Sequence, residues 1–423
     1  MSSLRSWYDH TVAALRATWR LHMSVALLGL NVVIRVAQLL IHADPRAYWS
    51  VQAAGLVALA VSIIIVLSDL QRAQLARYNV RIIQNPDAIR AASAVRIGAN
   101  EIRLLHGSAT MCFDPRLDLA LERSSTFIDA VIEPYSIPQP LLPYYNDVIR
   151  AFRPTINGSK VRLRSDLTPD SLSHVYLQRS SYFAGVITNE VATSFFTVAD
   201  WDHNREDIVT RVFDDYVVSD GHLAPLAESA LANNIGVVTV VVTADNCIVL
   251  QTRGMTLVDS GKITVGASGQ ATWNDLRDSH ETIDPHSGKS SKTLQNLLKY
   301  AMEREASEET GVTVGPAKSR TTLTGFARHV HRGGKPEFYG ITYVAQRYDD
   351  MPRSVSRSER KWVRMKMRRQ LQDGSIKSLV SGADDLIREY TDNEAASASM
   401  IKALHCARAY LVAGNVEEHY LRP

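Results

Sequence analysis

Apolar positions form two long runs near the start of the chain and short, alternating runs after it. The long runs, 21–41 and 49–68, each match the ~20 residues that a helix needs to cross a hydrocarbon core. Only 42–48 lies between them, with Pro45 in its middle, which predicts a helical hairpin with a tight turn. Trp19, Tyr48 and Trp49 fall at the expected interfaces. Residues 70–83 lack Gly and Pro and predict a helical stalk that ends near Asn85-Pro86. Further on, 235–242 is almost wholly apolar and β-branched, and Asp245-Asn246 turns the chain into 247–253, which predicts a central-strand hairpin. Leu294, Leu297, Leu298 and Ala301 keep helical spacing within 293–312, and Gly311 supplies a C-cap. A strand, turn and strand follow over 321–343, and 395–413 predicts a closing helix.

Polar residues orient the membrane end. Arg5, Arg16 and Arg20 precede the first run and Arg72, Arg77, Arg81 and Arg90 follow the second, against Arg46 alone in the turn, so both termini are expected in the cytoplasm. Ser24, Asn31, Arg35 and Gln38 share one helical face. Two readings stay open: a plain anchor in which Arg35 snorkels, or a self-associating, pore-capable hairpin, with a homo-oligomer as its consequence. Composition adds an exclusion. Forty-seven Lys and Arg against 44 Asp and Glu give a net charge of +3, too small for nucleic acid to be the expected partner. Cys112, Cys247 and Cys406 lie far apart, without metal-ligand or disulfide-framework spacing.

The chemistry concentrates in 293–312. Glu305, Glu308 and Glu309 lie at i, i+3 and i+4, so they project from one face within a turn and repel one another. A hard divalent cation resolves that repulsion with the oxygen ligands it prefers. The run Arg304-Glu305-Ala306-Ser307-Glu308-Glu309-Thr310-Gly311-Val312 resembles the C-terminal half of the Nudix box, REUxEExGU. The resemblance covers about 235–363 and implies an α+β fold, a Nudix-like mixed β-sheet and helix sandwich. The expected organisation is an N-terminal segment (1–20), a transmembrane hairpin (21–69), a stalk (70–86), an extra α+β portion (87–231) and a Nudix domain with its C-terminal helix (232–423).

The resemblance also implies hydrolysis of the pyrophosphate in a nucleoside diphosphate derivative. Glu305, Glu308 and Glu309 would hold Mg²⁺ or Mn²⁺, and Arg304 would fix the carboxylates. Glu359, in a later loop, is the expected further acid. Arg328, His331, Arg332 and Lys335 crowd around Gly333-Gly334 and are expected to bind substrate phosphate. The first half of the box departs from the family pattern GX5EX7R. Asn296 and Ser290 stand where Glu and Gly belong, Gly288 is displaced, Gly269 matches only across a polar insert, and Glu281 is a candidate replacement carboxylate. Two functions follow: a membrane-anchored, cytoplasm-facing Nudix hydrolase, or a nucleotide sensor whose hairpin perturbs the membrane, as in some bacterial defence proteins.

Overall fold

The computed structural model describes residues 80–152, 156–200, 205–252, 261–284, 288–352 and 366–413. The chain divides into two compact units, 1–81 with 198–207, and 82–197 with 208–423. All the elements numbered below belong to the second.

The two-pass membrane architecture, and the localisation drawn from it, are corrected here: among the described residues no helix is long and apolar enough to cross a membrane. The hairpin expected over 21–69 and most of the stalk lie outside the described residues; the described end of the stalk, Val80–Gln84, is a strand and not a helix, and at Asn85 a helix, Pro86–Ala94, begins and does not end.

The first elements come from before residue 231. Strands β1 (Ile102–His106) and β2 (Ala109–Phe113) form an antiparallel pair. Helix α1 (Pro115–Ala120) starts at Asp114, whose side chain caps the Arg116 amide. Strands β3 (Phe127–Val131), β4 (Ser159–Leu163) and β5 (His174–Ser181) make a small sheet in the order β3-β5-β4.

Next come β6 (Gly236–Val242) and β7 (Cys247–Thr252), joined by a turn in which Asn246 takes φ 60°. They are followed by β8 (Ile263–Val265), β9 (Ala267–Gln270) and the short helix α2 (Trp273–Asp278). The hairpin β10 (Glu281–Ile283) and β11 (Ser290–Lys292) precedes α3 (Leu294–Thr310). The chain closes with β12 (Ser319–His329), β13 (Lys335–Val344), β14 (Lys366–Gln370), α4 (Ile376–Tyr390) and α5 (Ala398–Val412).

A nine-stranded mixed sheet organises these parts, in the order β8-β7-β6-β13-β12-β2-β1, with β9 also on β6 and β14 on β7. Among the described residues of this sheet, only β6 and β13 run parallel to each other. Every residue of β6 is buried, as its unbroken apolar run requires of a strand covered on both faces. Val238, Val240 and Val242 pack with Leu379, Leu386, Ile401 and Leu404 of α4 and α5. Val237 packs instead with Leu294, Leu297 and Leu298 of α3. The small sheet joins this second core through Val161, Leu163, Val175 and Leu177. Strands from both sides of residue 231 therefore share one sheet, and a buried ion pair joins the two regions: Lys402 of α5 meets Asp118 of α1 at 2.7 Å.

A candidate active site at the end of the glutamate helix

Helix α3 is well terminated. The Thr293 side chain accepts the Asn296 amide at 3.3 Å, and Gly311, at φ 73°, adopts the left-handed conformation that ends a helix. The apolar stripe faces the sheet, so the face of Glu305, Glu308 and Glu309 falls beside β9 and β7. Glu305 and Glu309 are buried, and the Glu308 side chain is 41% exposed. Gly269 makes this approach possible: a Cβ there would lie 2.0 Å from the Glu305 carboxyl carbon. Glu309 turns inward and accepts the Ser268 amide at 2.8 Å and Gln251 Nε2 at 3.0 Å.

Arg304 ties the group together. Its Nη1 donates to Glu305 Oε1 at 3.0 Å and to Glu308 Oε1 at 3.1 Å, so two of the three glutamates converge on one nitrogen. Its other edge forks onto Asp275: Nε donates to Oδ1 at 2.7 Å and Nη2 to Oδ2 at 3.0 Å. Burial opposes the charge on Arg304, but Glu305, Asp275 and Glu308 outweigh it and hold the guanidinium more firmly protonated than usual.

Asp275 is the residue that sequence reasoning missed. It is buried in α2, where it also closes a capping box with Thr272. A signal for it existed: residues 270–274 place Asp275 the required distance after Gly269, with Asp for Glu, and 276–303 then intervene before Arg304. The hairpin of β10 and β11 thus lies between Asp275 and Arg304 in the chain. Asn296 and Glu281 serve this insert: Asn296 Nδ2 donates to the His280 carbonyl at 3.1 Å and Thr282 Oγ1 at 3.0 Å, and Glu281 accepts from Ser290 Oγ at 2.7 Å. Gly288, at φ 67°, lies in the hairpin's turn.

The residues around Gly333-Gly334 take partners outside α3. Arg332 and Lys335 are buried, and both pair with Glu190: Arg332 Nε donates to Oε2 at 2.8 Å, and Lys335 Nζ lies 3.5 Å from Oε1. Burial opposes the Glu190 charge, yet Arg332 and Lys335 bring its pKa down to about 2, while burial brings Lys335 down to about 8. His331 meets the backbone of Thr110, and Arg328 donates to the carbonyls of Gly334 and Ala224. Glu359 lies outside the described residues.

Whether a divalent cation suits the site turns on its donors. Among the described residues, no three acidic, His or Cys side chains stand close enough to form a metal centre as they are. The oxygens present are of the kind a hard cation takes: the carboxylates of Glu305 and Glu308, each bonded through Oε1 to Arg304, and the side-chain oxygens of Gln251 and Gln270, which are buried without a hydrogen-bond partner.

No protein-family model matches the chain, and no curated protein matches it. A solved structure of an ADP compounds hydrolase is similar to it with a TM-score of 0.27 and 13% identity, over 52% of this chain and 86% of the other. A likeness this loose carries no argument about fold or activity.

Proposed function

We propose that the chain is a Nudix-type hydrolase that cleaves the pyrophosphate of a nucleoside diphosphate derivative with Mg²⁺ or Mn²⁺. The observation that carries the reading is the Arg304 clamp, in which one guanidinium grips Asp275 with one edge and draws Glu305 and Glu308 together with the other. A helix serving only to pack would not need buried carboxylates against a glycine that admits nothing larger.

Glu305 and Glu308 are the carboxylates that would hold the cation, with Glu309 supporting them from its place against Ser268 and Gln251. A bound cation would neutralise the diphosphate and lower the pKa of an attacking water. Arg304 keeps both carboxylates oriented, and Asp275 keeps Arg304 in place from outside the helix. Glu308, the exposed member, is the group able to take the water proton on its carboxylate oxygen. The water oxygen bonds to one phosphorus, the bridging P–O bond breaks, and two phosphomonoesters leave.

The test is a panel of ADP-ribose, NAD, diadenosine polyphosphates and nucleotide sugars offered to the purified full chain with Mg²⁺. Phosphomonoester products from at least one of them, lost in Glu308→Gln, support the reading. Absence of product from the whole panel, or product that Glu308→Gln leaves unchanged, contradicts it.

A further inference from the structure

A second charged site lies on strand β12 where it meets β2, lined by none of the residues of the glutamate cluster. There a cavity of about 260 Å³ is lined by Arg96, Glu101, Asp166, His222, Leu223 and Arg328, among others. Its floor is built around Arg328. Nε donates to the Gly334 carbonyl at 3.1 Å and Nη2 to the Ala224 carbonyl at 2.7 Å. Gly334, at φ 73°, is moulded to this side chain, since a Cβ there would lie 2.5 Å from Arg328 Nη2. Two neutral carbonyls thus fix the guanidinium without cancelling its charge, and among the described residues no carboxylate forms an ion pair with it. Burial opposes the charge of Arg328 and lowers its pKa, while Asp166 and Glu101, which line the same cavity, act on it in the opposite direction without a direct ion pair.

The rest of the lining is chemically divided. Arg96 stands exposed at the mouth, its backbone amide bonded to the Gly221 carbonyl at 2.8 Å, and adds a second cation beside His222. Asp166 is oriented by the Leu226 amide at 2.7 Å and Glu101 by the Gly98 amide at 2.7 Å. Carboxylates held in this way retain lone pairs for hydroxyl donors. A ligand with an anionic end for the arginines and a hydroxyl-bearing body for the acids suits both halves. The volume falls just below the ~300 Å³ at which pockets for drug-sized ligands begin, which suits a single small metabolite.

We propose that this cavity binds a small phosphorylated sugar, its phosphate on Arg328 and Arg96 and its hydroxyls on Glu101 and Asp166, at a site separate from the glutamate cluster. Calorimetric titration of the purified full chain, in buffer with a chelator and no divalent metal, tests it with three probes: ribose 5-phosphate, inorganic phosphate and ribose. Ribose 5-phosphate is expected to bind, inorganic phosphate more weakly, and ribose not at all. Arg96→Gln, at an exposed position, should weaken ribose 5-phosphate binding about tenfold or more, the loss of one charge-assisted hydrogen bond. Arg328→Lys should weaken it further, with thermal melting confirming that the variant is folded. No binding of ribose 5-phosphate, or binding that Arg96→Gln leaves unchanged, overturns the proposal. Equal binding of free ribose also overturns it, because the arginines would then play no part.

Discussion

Two clusters of charge in this chain look alike in sequence and differ in their surroundings. Around Glu190, two cations and two carboxylates lie buried together and consume one another: Arg332 and Lys335 both pair with Glu190 and also act on the buried Glu337. At the end of α3 the balance is reversed, with three carboxylates, those of Asp275, Glu305 and Glu308, paired with one arginine, and with Glu308 open to solvent. A saturated ion cluster holds a fold together, whereas an acidic excess fixed in place and left partly open is suited to a cation. The difference lies in the ratio of signs and in access, which the mere presence of charged residues in a turn or helix does not report.

Substitutions separate the two clusters. The largest effect is expected at the open one: Glu308→Gln should lower turnover by about 10²–10⁴-fold, the range for a lost proton acceptor, while unfolding in denaturant shifts by no more than about 0.5 kcal/mol. At the saturated cluster the effect should fall on stability instead. Glu190→Ala removes the paired acid of two buried cations and leaves them only the neighbouring Glu337, so it should cost about 3 kcal/mol, the low end for breaking a buried pair, read as a lower denaturant midpoint. Asp275→Asn lies between them: Arg304 loses its charged fork, and affinity for Mn²⁺ or turnover should fall by about 10–100-fold, the usual cost of losing a residue that orients a ligand.

The smallest effect is a pH dependence. The pKa of Glu190 is brought from its ordinary 4.5 down to about 2, so its stabilising charge is fully present above 4.5 and is lost as pH falls toward 2. Between those values the wild type should lose stability relative to Glu190→Gln, followed as melting temperature against pH. Parallel curves for the two proteins would remove Glu190 from the saturated cluster's account.

Much of this was legible because it is local. The stripe of Leu294, Leu297 and Leu298 with Gly311 places α3 as Leu294–Thr310, and the apolar run with Asp245-Asn246 places β6, its turn and β7. Of the glycines at 261, 266 and 269, the last two sit at points of close approach and Gly261 does not: a Cβ on Gly266 would lie 2.1 Å from the Thr239 carbonyl oxygen, and one on Gly261 would meet nothing within 4 Å. Long-range features were not legible. Nothing in Ala109–Phe113 announces that it pairs with the end of β12 through Cys112 and Met111, since pairing depends on partners far along the chain. Lys402 sits among apolar neighbours in α5, and its burial makes sense only once Asp118 is seen opposite it. Asp275 was hidden because the insert moves it from the helix of Arg304 to a separate one, so a fixed-spacing pattern looked for its counterpart at Asn296. The cations near Gly333-Gly334 read as partners for substrate phosphate; Glu190, far away in sequence, pairs with Arg332 and Lys335 instead.

The most direct test is Mn²⁺ binding to the purified full chain, followed by electron paramagnetic resonance of the free ion. The account predicts that wild-type protein removes Mn²⁺ signal with a saturating stoichiometry, and that Glu305→Gln and Glu308→Gln each weaken this uptake while Glu281→Gln does not. Uptake that is absent in the wild type, or that survives both substitutions undiminished, would contradict a cation site at the end of α3.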